Sequence, residues 1–254
     1  ERELLLDDLR EALENDELAL HYQPVVRTAD NLVVGFEALM RWEHPDRGSV
    51  SPSLFIPIAE ESGLILQLGE WALRRACQDA MQWPGTTRVA VNVSAKQFCH
   101  NGFASVVMNA LAESGLQPDR LELELTESVF MGDSEATDDI FKVLKGIGVR
   151  LALDDFGTGY SSLSYLRSAP FDKIKVDKSF VDSCTEQDHN SAKIITAIIG
   201  LSNALDMETV VEGVEAFDQF DLVRDKGAKL IQGWIYSKAL PHTDIIERMA
   251  SGEF

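Results

Sequence analysis

Eight short β-rich runs recur along this chain, and their order constrains its fold more than any other feature. They lie at Leu18 to Val26, Leu32 to Trp42, Arg88 to Ser94, Leu121 to Thr126, Arg150 to Asp155, Lys173 to Asp177, Thr209 to Glu212 and Lys229 to Gln232. Helical stretches separate the later runs, and such alternation predicts a parallel α/β sheet. The first two are joined only by the polar turn at residues 28–31. That is too short for a crossover, so they are expected to pair antiparallel. Eight strands with helices between them suit closure: the expected fold class is α/β, a modified TIM (β/α)8-type barrel with an antiparallel first strand. Leu5, Leu9 and Leu13 fall at helical spacing ahead of the first strand,. Residues 1–15 read as a helix or linker from an upstream domain and 16–254 as one domain, the chain opening on Glu1 rather than Met. His44 to Ser53 reads as a surface loop,.

The formal net charge is −19, from 42 Asp and Glu against 23 Lys and Arg. This field repels polyanions and acidic bilayers, so neither DNA, RNA nor membrane contact is expected of the domain. A small anionic ligand would need local cations, and bound divalent metals are the strongest available. Cys77, Cys99 and Cys184 are far apart and form no CxxC spacing. They read as reduced, buried small apolar groups of a cytoplasmic domain. No signal peptide or membrane-spanning run is apparent; any membrane anchor would belong to other parts of a full-length protein.

Strand parity locates the chemistry, because alternate residues point to opposite faces. In Leu121 to Glu127, Leu121, Leu123 and Leu125 oppose Glu122, Glu124 and Thr126. With the leucines packed on outer helices, the glutamates point into the barrel, where an unpaired carboxylate costs several kcal/mol. The same parity sets Asn92 opposite the valines at 89, 91 and 93, and Lys175 opposite Ile174 and Val176. One polar residue per strand tip then gives Glu37, Asn92, Glu124, Asp154 with Asp155, Lys175, Glu212 and Gln232. Apart from the lysine these are hard oxygen donors, a set suited to Mg²⁺ or Mn²⁺. Formally, two divalent ions and Lys175 would neutralise the five carboxylates,.

These residues stand in an ordered series of motifs: HYQPVV from His21, EALMRW from Glu37, VNVSAKQF from Val91, ELTES from Glu124, DDFGTGYSSL from Asp154, KIKVDKSF from Lys173, EGVE from Glu212 and QGW from Gln232. In order and content the series resembles the EAL family of cyclic di-GMP phosphodiesterases.

The resemblance implies hydrolysis of cyclic di-GMP to linear pGpG, lowering a bacterial second messenger through two-metal, in-line attack on one phosphodiester. It implies that Glu37, Asn92, Glu124 and Asp154 hold one metal, and that Asp154, Asp155 and Glu212 hold a second. Lys175 would orient or activate the attacking water, with Gln232 assisting it. Gln23, Arg41 and Glu215 would contact the cyclic dinucleotide. Glu127 would anchor the loop after the fifth of the eight strands, through which a homodimer would form. Mg²⁺ or Mn²⁺ would support activity and Ca²⁺ inhibit it, and an upstream sensory or GGDEF domain is expected. Trp234 stands beside Gln232 as a further candidate for contact with guanine. Two alternatives remain: a catalytically silent cyclic di-GMP receptor, and an enolase-type barrel in which Mg²⁺ and Lys175 act on a carboxylate substrate.

Overall fold

A computed structural model describes residues 2–131, 134–157, 166, 169–182 and 189–254. Its strands are β1 (Leu18–Arg27), β2 (Val33–His44), β3 (Gly48–Val50), β4 (Arg88–Val93), β5 (Leu121–Thr126), β6 (Arg150–Phe156), β7 (Lys173–Val176), β8 (Glu208–Val211), β9 (Leu230–Gln232) and β10 (Leu240–Pro241). Eight of them close a barrel in the order β1-β9-β8-β7-β6-β5-β4-β2, the ring being completed by β1 against β2. The strand β1 runs antiparallel to both β2 and β9, whereas β2 and β4 through β9 are mutually parallel. The expected barrel with one reversed strand is therefore the observed fold.

Two short strands lie outside that ring. β3 pairs with the end of β2, Trp42 opposite Val50, and a helix begins at Pro52. The reading of His44 to Ser53 as a loop is corrected there: Gly48 sits at φ 68 and turns the chain back onto an edge. β10 pairs with β1, but two residues carry no period that could announce it. The fifth β-rich run is thus the sixth strand in chain order.

The barrel staves separate two environments. Val89, Val91, Val93, Leu121, Leu123, Leu125, Ile174 and Val176 face outward into the main core, packed under helices such as Ile65–Ala80 and Phe103–Ser114. Burying each such side chain is worth about 1.5–3 kcal/mol, so a register slip that turned this face inward would be prohibitive. The helix Arg2–Ala12 places Leu5, Leu9 and Ala12 in a second cluster with Trp42, Phe55 and Leu68. Leu13 falls beyond its end and is only partly buried. Among the described residues no helix is long and apolar enough to cross a membrane. Cys77 is buried, and burial pushes its thiol up to about 12. Cys99 is exposed, correcting the expectation of a buried group, because it caps a four-residue helix at the surface. Cys184 lies outside the described residues.

Candidate active site

Polar side chains enter the barrel because each lies on the parity opposite the outward valines and leucines. On β2, Glu37, Leu39 and Arg41 share one face, while Phe36 and Ala38 belong to the main core. Gln23 of β1 stands directly across from Glu37, and Asn92 of β4 across from Glu124 of β5. The carboxylate of Glu37, 6% exposed, accepts from Asn92 Nδ2 at 2.7 Å and from Gln232 Nε2 at 2.5 Å. Gln232 Nε2 also donates to Gln23 Oε1 at 3.1 Å.

Lys175 is the centre of the arrangement. Its Nζ lies 2.7 Å from Glu124, 2.8 Å from Glu212, 3.2 Å from Asp154 and 3.5 Å from Glu37, with the side chain 2% exposed. Burial disfavours the ammonium, but the four carboxylates more than offset it and hold the amine well above its usual range,. The carboxylates divide. Burial pushes Glu124 well up and takes Glu212 to about 8. Burial also opposes ionisation of Glu37, yet Lys175 and the amides of Gln232 and Asn92 hold that group below its usual range. One lysine thus does not neutralise the negative charge gathered here.

Strict alternation would point Asp154 and Asp155 to opposite faces. A bulge removes the conflict: Leu153 pairs with Ile174 and Phe156 with Val176, so β6 carries one residue more than β7,. Asp155 takes the left-handed conformation at φ 52, which aspartate tolerates better than most residues. Carboxylate oxygens of Asp154, Asp155 and Glu212 consequently lie within 4.8 Å of one another. Burial first, then Asp154, pushes Asp155 up.

The loops after β8 and β9 interlock through two glycines. Val214 N donates to Gln232 O, and Ile235 N donates to Val214 O. A Cβ on Gly233 would come 2.0 Å from Val214 O, a backbone atom that cannot swing aside. Gly213, at φ 68, leaves room for the stem of Lys178, which reaches across it to pair with Glu215. Gly233→Ala is therefore expected to lower thermal stability by about 1–3 kcal/mol, as overpacking does, and to weaken ligand binding. An unchanged melting temperature would show that the two loops separate freely.

The mouth is divided in two. A cavity of about 270 Å³ is lined by Gln23, Glu37, Asp154, Lys175, Glu212 and Gln232, with Lys178, Glu215 and Trp234 at its rim. An adjoining cavity of about 590 Å³ takes Arg41, Asn92 and Glu124, together with apolar walls from Ile56, Ile65 and Ala72. Leu39 lines both. Trp234 is 55% exposed, with Lys238 Nζ 4.3 Å and Lys178 Nζ 5.4 Å from its ring. Among the described residues Arg41 has no carboxylate within ion-pair distance; its Nη1 donates to Met40 O. Lys178 and Leu39 were not reached by parity, since Lys178 opens a helix and Leu39 is an apolar residue on an otherwise polar face. Glu127 opens a short 3₁₀ turn after β5. The loop it is expected to anchor, and the homodimer contact expected there, lie from residue 158 outside the described residues.

The residues present fit divalent cations. The side chains around the 270 Å³ cavity that can ligate a cation are carboxylates and amides, and the site holds more carboxylates than Lys175 can pair. The buried Gln232 Oε1 has no hydrogen-bond partner among the described residues. Its amide nitrogen is committed to Glu37, which requires this orientation.

A family model described as the EAL domain matches residues 6–239, and this chain belongs to that family. It is 41% identical over 250 residues to the bifunctional diguanylate cyclase/cyclic di-GMP phosphodiesterase MucR of Pseudomonas aeruginosa, covering 97% of this chain and 36% of that protein. It is 40% identical over 252 residues to the cyclic di-GMP phosphodiesterase NbdA of the same organism, covering 98% and 32%. A signaling protein of Caulobacter vibrioides is 48% identical over 241 residues, 95% of this chain and 30% of that one. The chain thus spans about a third of the length of these relatives. The solved structure of the P. aeruginosa MucR phosphodiesterase with cyclic di-GMP superposes at a TM-score of 0.90 with 41% identity, covering 95% of this chain and 99% of that one.

Proposed function

We propose that this chain is a cyclic di-GMP phosphodiesterase that opens one phosphodiester to give linear pGpG, using two divalent cations. The observation that carries the reading is the buried Lys175 ringed by Glu37, Glu124, Asp154 and Glu212, with Asp155 brought alongside. Glu37, Asn92, Glu124 and Asp154 would hold one ion, and Asp154, Asp155 and Glu212 the other. Mg²⁺ or Mn²⁺ bound there supplies Lewis acidity that activates water and offsets phosphoryl charge.

The remaining steps belong to the chain's own groups. Lys175, its Nζ set among Glu37, Glu124, Asp154 and Glu212, would orient or help activate the attacking water and offer positive charge to developing negative charge,. Gln232 fixes Glu37 with its amide nitrogen and leaves its oxygen for water or substrate. Arg41, unpaired among the described residues, offers its fork to a phosphate, while Gln23 and Glu215 border the ligand. Attack of water in line forms the new P–O bond as the P–O3′ bond breaks, the proton lost by the water matching the one gained by the 3′-oxygen, which leaves as a hydroxyl. Residues 16–254 would be the catalytic domain of a longer signalling protein, with the sensory or GGDEF portion upstream and pairing through the loop after β6.

Purified protein with cyclic di-GMP and Mg²⁺ or Mn²⁺ is expected to yield pGpG by chromatography, and Ca²⁺ to yield none, because its looser geometry suits the site poorly. Specific activity that falls on dilution would report the dimer. Tight binding without product under every metal condition would replace this reading with that of a silent receptor.

A further inference from the structure

A second charged layer lies beneath the first. Arg88 of β4, Glu122 of β5, Arg150 of β6, Lys173 of β7 and Glu208 of β8 stand at the N-terminal ends of five consecutive barrel strands. They form one connected belt. Arg88 Nη1 lies 3.0 Å from Glu208 and Arg150 Nη2 2.7 Å from the same carboxylate. Arg150 Nε reaches Glu122 at 3.5 Å, and Lys173 pairs with Glu122 directly. Glu122 and Lys173 are 1% and 4% exposed. None of the five lines the cavities that hold the candidate ligands.

The same five strands carry Asn92, Glu124, Asp154, Lys175 and Glu212 at the mouth. From belt to mouth the separations along the chain are 4, 2, 4, 2 and 4 residues, all even. Each belt residue therefore shares a face with the mouth residue of its own strand, and the alternation matches a barrel interior layered by alternate strands. Ala90, Ala152 and Val210 lie between the layers. Buried ion pairs are a poor source of stability, since apolar groups of equal volume often do as well. Their value lies in register: a slip by one residue would drive these charges into the leucine and valine core.

We propose that this ion belt is a positioning device for the mouth. The carboxylates that β5, β6 and β8 bring to the mouth outnumber the single ammonium of β7, and their mutual repulsion favours spreading of these strands. Pairs that tie the feet of the same strands oppose that spreading and keep the oxygens at the spacing a pair of divalent cations needs. This rests on the metal-dependent reading above.

The test is the double variant Glu122→Gln/Lys173→Met, which removes the central pair while keeping volume, beside Lys173→Arg, which keeps the pair. Mn²⁺ affinity is measured by calorimetry without substrate, together with kcat, KM and melting temperature. The double variant is expected to melt with the wild type, to bind Mn²⁺ about tenfold more weakly, in the range of supporting groups around metal ligands, and to lose kcat with KM unchanged. Lys173→Arg is expected to retain wild-type affinity. Unaltered Mn²⁺ affinity and kcat in the double variant would overturn the inference alone, and a double variant that fails to fold would overturn it by making the belt a stability element. Wild-type protein that takes up no Mn²⁺ would overturn both this inference and the metal-dependent reading.

Discussion

Lys175→Met is expected to destabilise the metal-free protein by about 3–5 kcal/mol, the cost of leaving buried charges without their partner. Four carboxylates lie within 3.5 Å of this one ammonium, and the methionine would supply the same stem with no charge. For a domain of this size the melting temperature should fall by roughly 10 °C in the presence of a chelator. Saturating Mn²⁺ should recover most of the loss, because it restores positive charge among the same oxygens. Activity should not recover with it. Loss of a donor preorganised toward developing charge lowers turnover by about 100- to 1,000-fold. Equal melting of the variant and wild type in chelator would mean that the lysine does not offset the crowding of these carboxylates.

Glu37→Ala is expected to abolish cyclic di-GMP hydrolysis while the barrel remains folded. Two opposing effects keep the fold intact. The substitution frees Asn92 Nδ2 and Gln232 Nε2 from their acceptor, but it also removes one of the like charges crowding Lys175. Glu37→Gln separates the charge from the packing: it fills the volume and still accepts a hydrogen bond, and it should be nearly as inactive. Circular dichroism and thermal melting check the fold, and pGpG formation checks turnover. Full activity in Glu37→Ala would remove Glu37 from the metal assignment and with it the mechanism.

Most of the barrel is legible in the sequence, because its strands are buried on one side by helices and on the other by charged groups. The repeat Leu121 to Glu124 states both faces in four letters, and the structure buries all four residues. The short turn at residues 28–31 announced the reversed β1. β3 and β10 were not legible: Gly48–Val50 and Leu240–Pro241 are too short for a period of two to register, and each exists only because an edge of β2 or β1 is available to pair with it. Cys99 departs from its expected burial for a similar reason, since burial depends on what covers a residue and not on its own apolarity.

The sequence by itself determined which residues face the barrel interior and that the gathered oxygen donors require cations, since parity and the cost of burying charge are local properties of the chain. Tertiary structure alone decided how these groups meet. The bulge in β6 brings Asp155 beside Asp154 against simple alternation. Barrel closure collects four carboxylates onto one lysine, and Leu39 stands between the cavity around Lys175 and the one that holds Arg41. These are distances between residues far apart in the chain, set by strand stagger and packing, and no local pattern encodes them.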